Sequence, residues 1–377
     1  MRYSKDYDFY FVMAPISILY PSGGIKIIYE LARRLTDEGY KVAIQFVTDP
    51  WRVARNIYPD KRIAEWDLRT SMIKNLLNNR ISFKFIIPVV RKFLHIDYKE
   101  HMSGIAIYFG KKFPVKIRAT NCIATDYITA FFVSKIVTGN RKYFLSQHDE
   151  SDPNYLSRLS WLAEEAYKLP LRLIVTNEAM VEKFRDRVPL FFHVGIRDLF
   201  IRQQLNLLKP VRQVLMPLRT GKMKGASYAI QAAKLIHSAY PDVKIKAFGD
   251  FPRKLVPEFI EYHFLPNDDE IVQLYKESSI FVLPSLIEGM ALPALEAMAC
   301  SCTVVSTDCI GIRVYLRNEE NGIIVNKGDP NAIFQAVSRL IEDETLRQRL
   351  AKKGWETSCR YSYENMKKEF ISIMDSI

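Results

Sequence analysis

Cysteine is scarce and scattered, with five residues in a chain of 377. Only Cys300 and Cys302 lie close together, as a C-x-C, and no second pair or histidine cluster completes a zinc site around them. The odd count, with no signal-type leader, points to a reducing compartment and away from a disulfide scaffold. Long apolar runs are missing too. The run from Phe9 to Tyr20 is too short to span a bilayer and lacks a cationic leader, so it reads as a first strand. No internal repeat or low-complexity tract appears, which sets aside solenoids and disordered chains.

What is present is the composition of a soluble globular protein, 48% hydrophobic and 25% charged. The length suggests two domains, each large enough for its own core. The net charge of +12 is unevenly spread: residues 51 to 118 hold 15 Lys and Arg against 5 Asp and Glu, so about +10 sits in that stretch. Trp51, Trp66, Phe83, Phe85, Phe93, Tyr98, Tyr108 and Phe109 interleave with the basic residues. This pattern suits an anionic membrane surface or an anionic lipid carrier. It also suits single-stranded nucleic acid, and the plain reading is a solvated face over an ordinary core.

Strand and helix patterns alternate along the first half. Tyr7 to Pro15 is strand-like, Ser22-Gly23-Gly24 forms a glycine turn, and Ile25 to Thr36 carries helical periodicity. A strand at Lys41 to Val47 follows. Residues 51 to 118 read as an insertion on one face. The alternation then resumes and reaches a connecting segment at Val194 to Leu205. A polar boundary around Lys209-Pro210 precedes a second round, with a strand at Gln213 to Leu218 and helices at Ala226 to Ala239 and Asp268 to Glu277. Two such halves predict an α/β architecture of two Rossmann-like domains facing a central cleft. The expected domains are 1–208, with a crossing helix at about 359–377, and 209–358.

The most informative segment is Ile280 to Ser306, which reads as a buried strand, a tight loop, a short helix and a second buried strand. Gly289 lets the loop backbone approach a ligand, and Pro293 fits the first turn of the helix. Free N–H groups around Met290, Ala291 and Leu292 then suit a phosphate or a ring of hydroxyls. Glu288 lies in that mouth. Glu296, one turn into the helix, is placed to accept two hydrogen bonds from a vicinal diol such as a ribose.

Pro284, Ser285, Glu288, Gly289, Leu292, Pro293, Glu296, Ala297, Met298 and Ala299 together resemble the signature of family 4 of the retaining glycosyltransferases, which have the GT-B fold. Ser301 and Thr303 stand where that family usually has Gly and Pro, which bears on the turn into the next strand. The loop Leu218 to Gly225 carries Arg219, Lys224 and Gly225 at the family's spacing, with Lys222 as the rival second cation. Two fixed cations can stabilise a leaving diphosphate without a metal. No Asp-x-Asp motif of the metal-holding kind lies where it would serve, since Asp268 and Asp269 open a helix.

The resemblance assigns further roles. Glu288 and the backbone from Gly289 through Met290 and Ala291 to Leu292 would hold sugar hydroxyls, and Glu296 the ribose. Gly23 and Gly24 lie where the family's glycine pair approaches diphosphate or acceptor. His148, just past a strand, would lie near the transferred sugar, with Asp149 and Glu150 as weaker candidates and Asp126 a candidate for the acceptor side. The expected activity is a metal-independent, retaining hexosyl transfer from a nucleotide-diphosphate sugar to a glycan or lipid-linked acceptor, with no other cofactor. The expected location is the cytoplasm, peripheral at the inner membrane face. The rivals are a GT-B epimerase or phosphorylase and a non-catalytic basic protein that binds nucleic acid or membrane. The intact donor signature argues against nucleic acid.

Overall fold

A computed structural model describes residues 5–14, 23–47, 104–110, 117–135, 139–152, 159–209 and 213–377. The chain divides into two compact units. One comprises Met1–Phe192 with Lys367–Ile377, and the other His193–Met366.

The first unit is built on a parallel seven-stranded sheet in the order β3-β2-β1-β4-β5-β6-β7. Its elements are β1 (Lys5–Met13), α1 (Gly23–Asp37), β2 (Val42–Val47), β3 (Ala106–Gly110), β4 (Ile117–Ala124), α2 (Tyr127–Lys135), β5 (Gly139–Ser146), α3 (Ser160–Tyr167), β6 (Arg172–Val175), α4 (Glu178–Lys183) and β7 (Leu190–Phe191). All six residues of β2 are buried. A strand covered on both faces reads as a continuous apolar run, and that is the pattern of a parallel sheet. Tyr10, Val12, Cys122, Phe131, Phe132 and Phe144 lie in its core.

Two readings of this half change. Residues 106–110, inside the stretch taken for an insertion, form β3 and pair with β2 from Ala43↔Ala106 to Val47↔Gly110. The rest of that stretch, apart from 104–105 and 117–118, lies outside the described residues. Gly23 and Gly24 are the first residues of α1 and not a turn before it. A Cβ on Gly24 would come within 2.9 Å of Gln147 Oε1, and Gln147 Nε2 donates to Gly24 O at 3.0 Å. A larger residue here would have to displace the end of the Gln147 side chain.

The second unit has a parallel six-stranded sheet in the order β10-β9-β8-β11-β12-β13. Its elements are α5 (Asp198–Ile201), β8 (Gln213–Pro217), α6 (Ala226–Ala239), β9 (Lys244–Gly249), β10 (Ile260–Phe264), α7 (Asp268–Glu277), β11 (Ile280–Leu283), α8 (Leu292–Ala299), β12 (Thr303–Thr307), β13 (Ile323–Val325), α9 (Pro330–Glu342) and α10 (Glu344–Ser358). Asn267 and Glu270 close a reciprocal capping box at the start of α7, and three acidic residues in its first turn complement the helix dipole. Both units thus show the strand order of a doubly wound sheet.

The chain enters this unit at His193, ahead of the polar segment at Lys209. The connecting segment packs here because Phe200 is fully buried against Tyr275 and Ile196 N donates to Tyr361 O at 2.8 Å. The last helix, α11 (Tyr363–Asp375), starts in the second unit and ends in the first. Among the described residues, no helix is long and apolar enough to cross a membrane.

Candidate functional site

The signature residues gather at the carboxyl end of the second unit's sheet, where open α/β sheets bind ligands. β11 is buried along its whole length and delivers Pro284 and Ser285 to the strand's end. Beside it, β8 ends in the loop that starts at Arg219. Thr220 fixes this loop, since its N and Oγ1 donate to the Asp250 carboxylate at 2.8 and 2.7 Å. A single 3₁₀ turn, Lys222–Lys224, then leads to Gly225.

Gly225 has φ +70, and a Cβ there would lie 2.0 Å from Pro284 O. No other residue fits this position. Leu286 N donates to Met223 O at 2.8 Å, so a backbone bond joins the two loops just before the glycine. This brings Lys224 Nζ to 3.0 Å from each oxygen of Glu288. Ser285 Oγ donates to Glu288 Oε1 at 2.8 Å. The Glu288 side chain is only 14% exposed and that of Lys224 35%, so water screens the pair partially. Lys222, by contrast, is exposed, and Arg219 opens the loop as an exposed side chain.

Ala291 takes the left-handed conformation, φ 51 and ψ 45, as the residue before α8. Its carbonyl accepts from the buried hydroxyl of Tyr315 at 2.6 Å, which holds the turn in a shape that costs a non-glycine residue energy. Met290 and Ala291 are buried, while Leu292 is half-buried. The first N–H groups of a helix have no intrahelical acceptor, and this end of α8 lies next to the Glu288 loop. Gly311 N donates to Glu288 O at 3.2 Å and fixes the loop from its far side.

Glu296, one turn along α8, accepts from Tyr275 Oη at 3.3 Å. Arg197 lies on the same cluster. Its guanidinium pairs with Asp268 and stacks over Phe200 at 4.9 Å. Burial opposes the Arg197 charge, but the carboxylates of Glu296 and Asp268 outweigh it and hold the group more firmly protonated. Sequence reasoning missed Tyr275 and Arg197, because neither lies within the signature.

The remaining candidates fall in the first unit. Gln147 ties the start of α1 to the segment carrying His148. Ser146 Oγ donates to His148 O at 2.8 Å and also meets Tyr167 Oη. Asp126 caps α2, its Oδ1 accepting from Thr129 N at 2.8 Å, so the carboxylate read as a candidate for the acceptor side has a local structural partner. Asp149 pairs with Lys183. Glu150 is buried and accepts from Tyr127 N at 2.7 Å. Burial, and then the nearby Asp126 carboxylate, raises the Glu150 carboxyl well above the ordinary range.

Known proteins are similar to this chain. Residues 198–357 match the family Glycosyl transferases group 1. The fold is GT-B. HepE of Anabaena, solved in complex with UDP-glucose, superposes with a TM-score of 0.66 over 98% of this chain and 100% of its own, at 14% sequence identity. Among curated proteins, the chain is 26% identical over 313 residues to the N,N'-diacetylbacillosaminyl-diphospho-undecaprenol alpha-1,3-N-acetylgalactosaminyltransferase of Campylobacter jejuni, covering 78% of this chain and 80% of that one. It is 28% identical over 176 residues to the D-inositol 3-phosphate glycosyltransferase of Corynebacterium urealyticum, spanning 42% of each. The chain thus spans less than half the length of that second relative. These likenesses support a glycosyltransferase on the GT-B scaffold.

Proposed function

We propose that this protein transfers a hexosyl group from a nucleoside-diphosphate sugar to a glycan or lipid-linked acceptor, with retention at the anomeric carbon and without a metal ion. One observation carries the reading: Lys224, Glu288 and Ser285 form a connected polar group beside the start of α8, with Glu296 one turn further on. Arg219 and Lys224 neutralise the diphosphate as its bond to the anomeric carbon breaks. Glu288 and the backbone from Gly289 to Leu292 hold sugar hydroxyls, and Glu296 holds the ribose. His148 and the Gly23-Gly24 pair serve the transferred sugar and its diphosphate. The retaining course follows the resemblance to family 4, in which the acceptor attacks on the leaving group's face and a phosphate oxygen takes the acceptor's proton.

The acceptor class draws support from the Campylobacter jejuni relative, whose name gives a diphospho-undecaprenol substrate. The basic stretch from 51 to 118, with 15 Lys and Arg against 5 Asp and Glu, fits docking at an anionic inner membrane face. Vesicle sedimentation at low and high salt tests that docking.

The direct test is a thermal-shift panel of UDP-, GDP- and dTDP-hexoses, followed by transfer assays with the donor that stabilises most. Activity is expected to survive excess EDTA, and NMR of the product is expected to show the donor's anomeric configuration. Loss of activity in EDTA with recovery in Mg²⁺, or an inverted product, would overturn this reading.

A further inference from the structure

Tyr275 is built to do one polar job. Its side chain is fully buried, and its ring is packed edge-on by Phe200, Phe248 and Phe281 at centroid distances of 5.7, 5.8 and 5.5 Å. Its backbone carbonyl is held as well, accepting from the buried Lys209 ammonium at 2.7 Å. A ring fixed on every side delivers its hydroxyl to one place. That place is α8, where Oη reaches Pro293 O at 3.1 Å and Glu296 Oε2 at 3.3 Å. The phenol has one proton to share between these acceptors. It thereby links one oxygen of Glu296 to the first turn of its own helix. Asp268 holds Arg197 on the same cluster.

We infer that Tyr275 is a positioning residue that sets the protein's preference for ribonucleotide over 2′-deoxyribonucleotide donors. This rests on the proposed role of Glu296. A carboxylate recognises a vicinal diol only when both its oxygens are aimed at it, because the second hydroxyl is reached by geometry and not by charge alone. With one oxygen tied to Tyr275 Oη, the carboxylate plane is set and the 2′-hydroxyl is distinguished from its absence. Without that hydroxyl the carboxylate loses one of the contacts that set its plane, and the distinction weakens.

The test measures the affinities of UDP and dUDP, and of GDP and dGDP, by calorimetry on wild type, Tyr275→Phe, Glu296→Gln and the double variant. Tyr275→Phe deletes one hydroxyl and keeps the ring packing. Wild type is expected to prefer the ribonucleotide of the better-bound pair by about tenfold, and Tyr275→Phe to cut that ratio about fivefold through the ribonucleotide alone. The double variant is expected to lose nothing beyond Glu296→Gln. An unchanged ratio in Tyr275→Phe, or equal weakening of both nucleotides, would overturn the inference while leaving Glu296 on the ribose. A wild type that binds ribo- and deoxyribonucleotides equally would remove Glu296 from the ribose, and the inference with it.

Discussion

Lys224 Nζ stands 3.0 Å from both carboxylate oxygens of Glu288, so the candidate diphosphate cation is already engaged by an anion of the protein. On the proposed reading, Glu288 and a nucleoside diphosphate compete for one ammonium. The carboxylate would then keep the lysine in place before the donor arrives and favour release of the diphosphate afterwards.

Glu288→Gln should separate binding from transfer. Removing the competing charge is expected to tighten a bare nucleoside diphosphate by about threefold, in line with the modest worth of a partly exposed ion pair. Transfer is expected to fall by about 100-fold, since the sugar hydroxyls lose a charged acceptor that also presents two oxygens. Calorimetry and initial rates check the two halves. Weaker diphosphate binding in the variant would show that Glu288 does not compete for Lys224.

Gly225→Ala tests the junction that brings the two loops together. The left-handed backbone alone costs about 1–2 kcal/mol for a residue with a Cβ. The 2.0 Å approach to Pro284 O adds steric overlap with backbone. A stability loss of about 2–4 kcal/mol is expected from urea unfolding, together with weakened diphosphate binding. A loss below about 1 kcal/mol would show that the loops relax without consequence.

Ser301 offers a test of strain. It has φ 62, and it stands where family 4 usually has glycine. Its Oγ accepts from Asn206 N at 3.0 Å, a bond that partly offsets the strain. Ser301→Ala keeps the strain and loses the bond, whereas Ser301→Gly loses both. The glycine variant is expected to be about 1 kcal/mol more stable than the alanine variant by thermal or urea unfolding. The reverse order would mean that the turn is not strained.

Glu150 predicts a pH effect. Burial first, and then Asp126, raises its folded carboxyl well above the ordinary range. As pH rises past the unfolded value of about 4.3, the unfolded chain releases this proton while the folded chain keeps it. Stability therefore falls with rising pH until the folded group itself ionises. Glu150→Gln keeps an acceptor for Tyr127 N and removes the titration. It is expected to raise the melting temperature at pH 8 and change it little at pH 4. Equal effects at both pH values would rule out the linkage.

Much of the second unit was legible because its signals are local. Ile280 to Leu283 is an apolar run closed by Pro284, and α6 and α7 have the bounds their periodicity and caps imply. β10 was missed because Ile260–Phe264 alternates in burial and lies at a sheet edge, where a strand resembles a loop in sequence. The glycine pair was misplaced because Gly24 meets its partner, Gln147, over a hundred residues away in sequence. Arg197 and Tyr275 were invisible for the same reason, since their importance comes from what the fold sets beside them and not from their neighbours in the chain.

The last helix bears on synthesis. The first unit needs Lys367, which pairs with Glu38, and Phe370, which packs on Phe9 and Phe192 at 5.8 and 5.4 Å. A ribosome reaches those residues on the order of 10 to 40 s after Phe192, at about 5–20 residues per second. In that interval Phe9 and Phe192 lack a covering side chain, and the second unit, contiguous from His193 to Met366, gains its last residue before Lys367 and Phe370 are added. The half made first is the half completed last. A nascent chain is thus most in need of chaperone protection along the edge that Phe370 will seal.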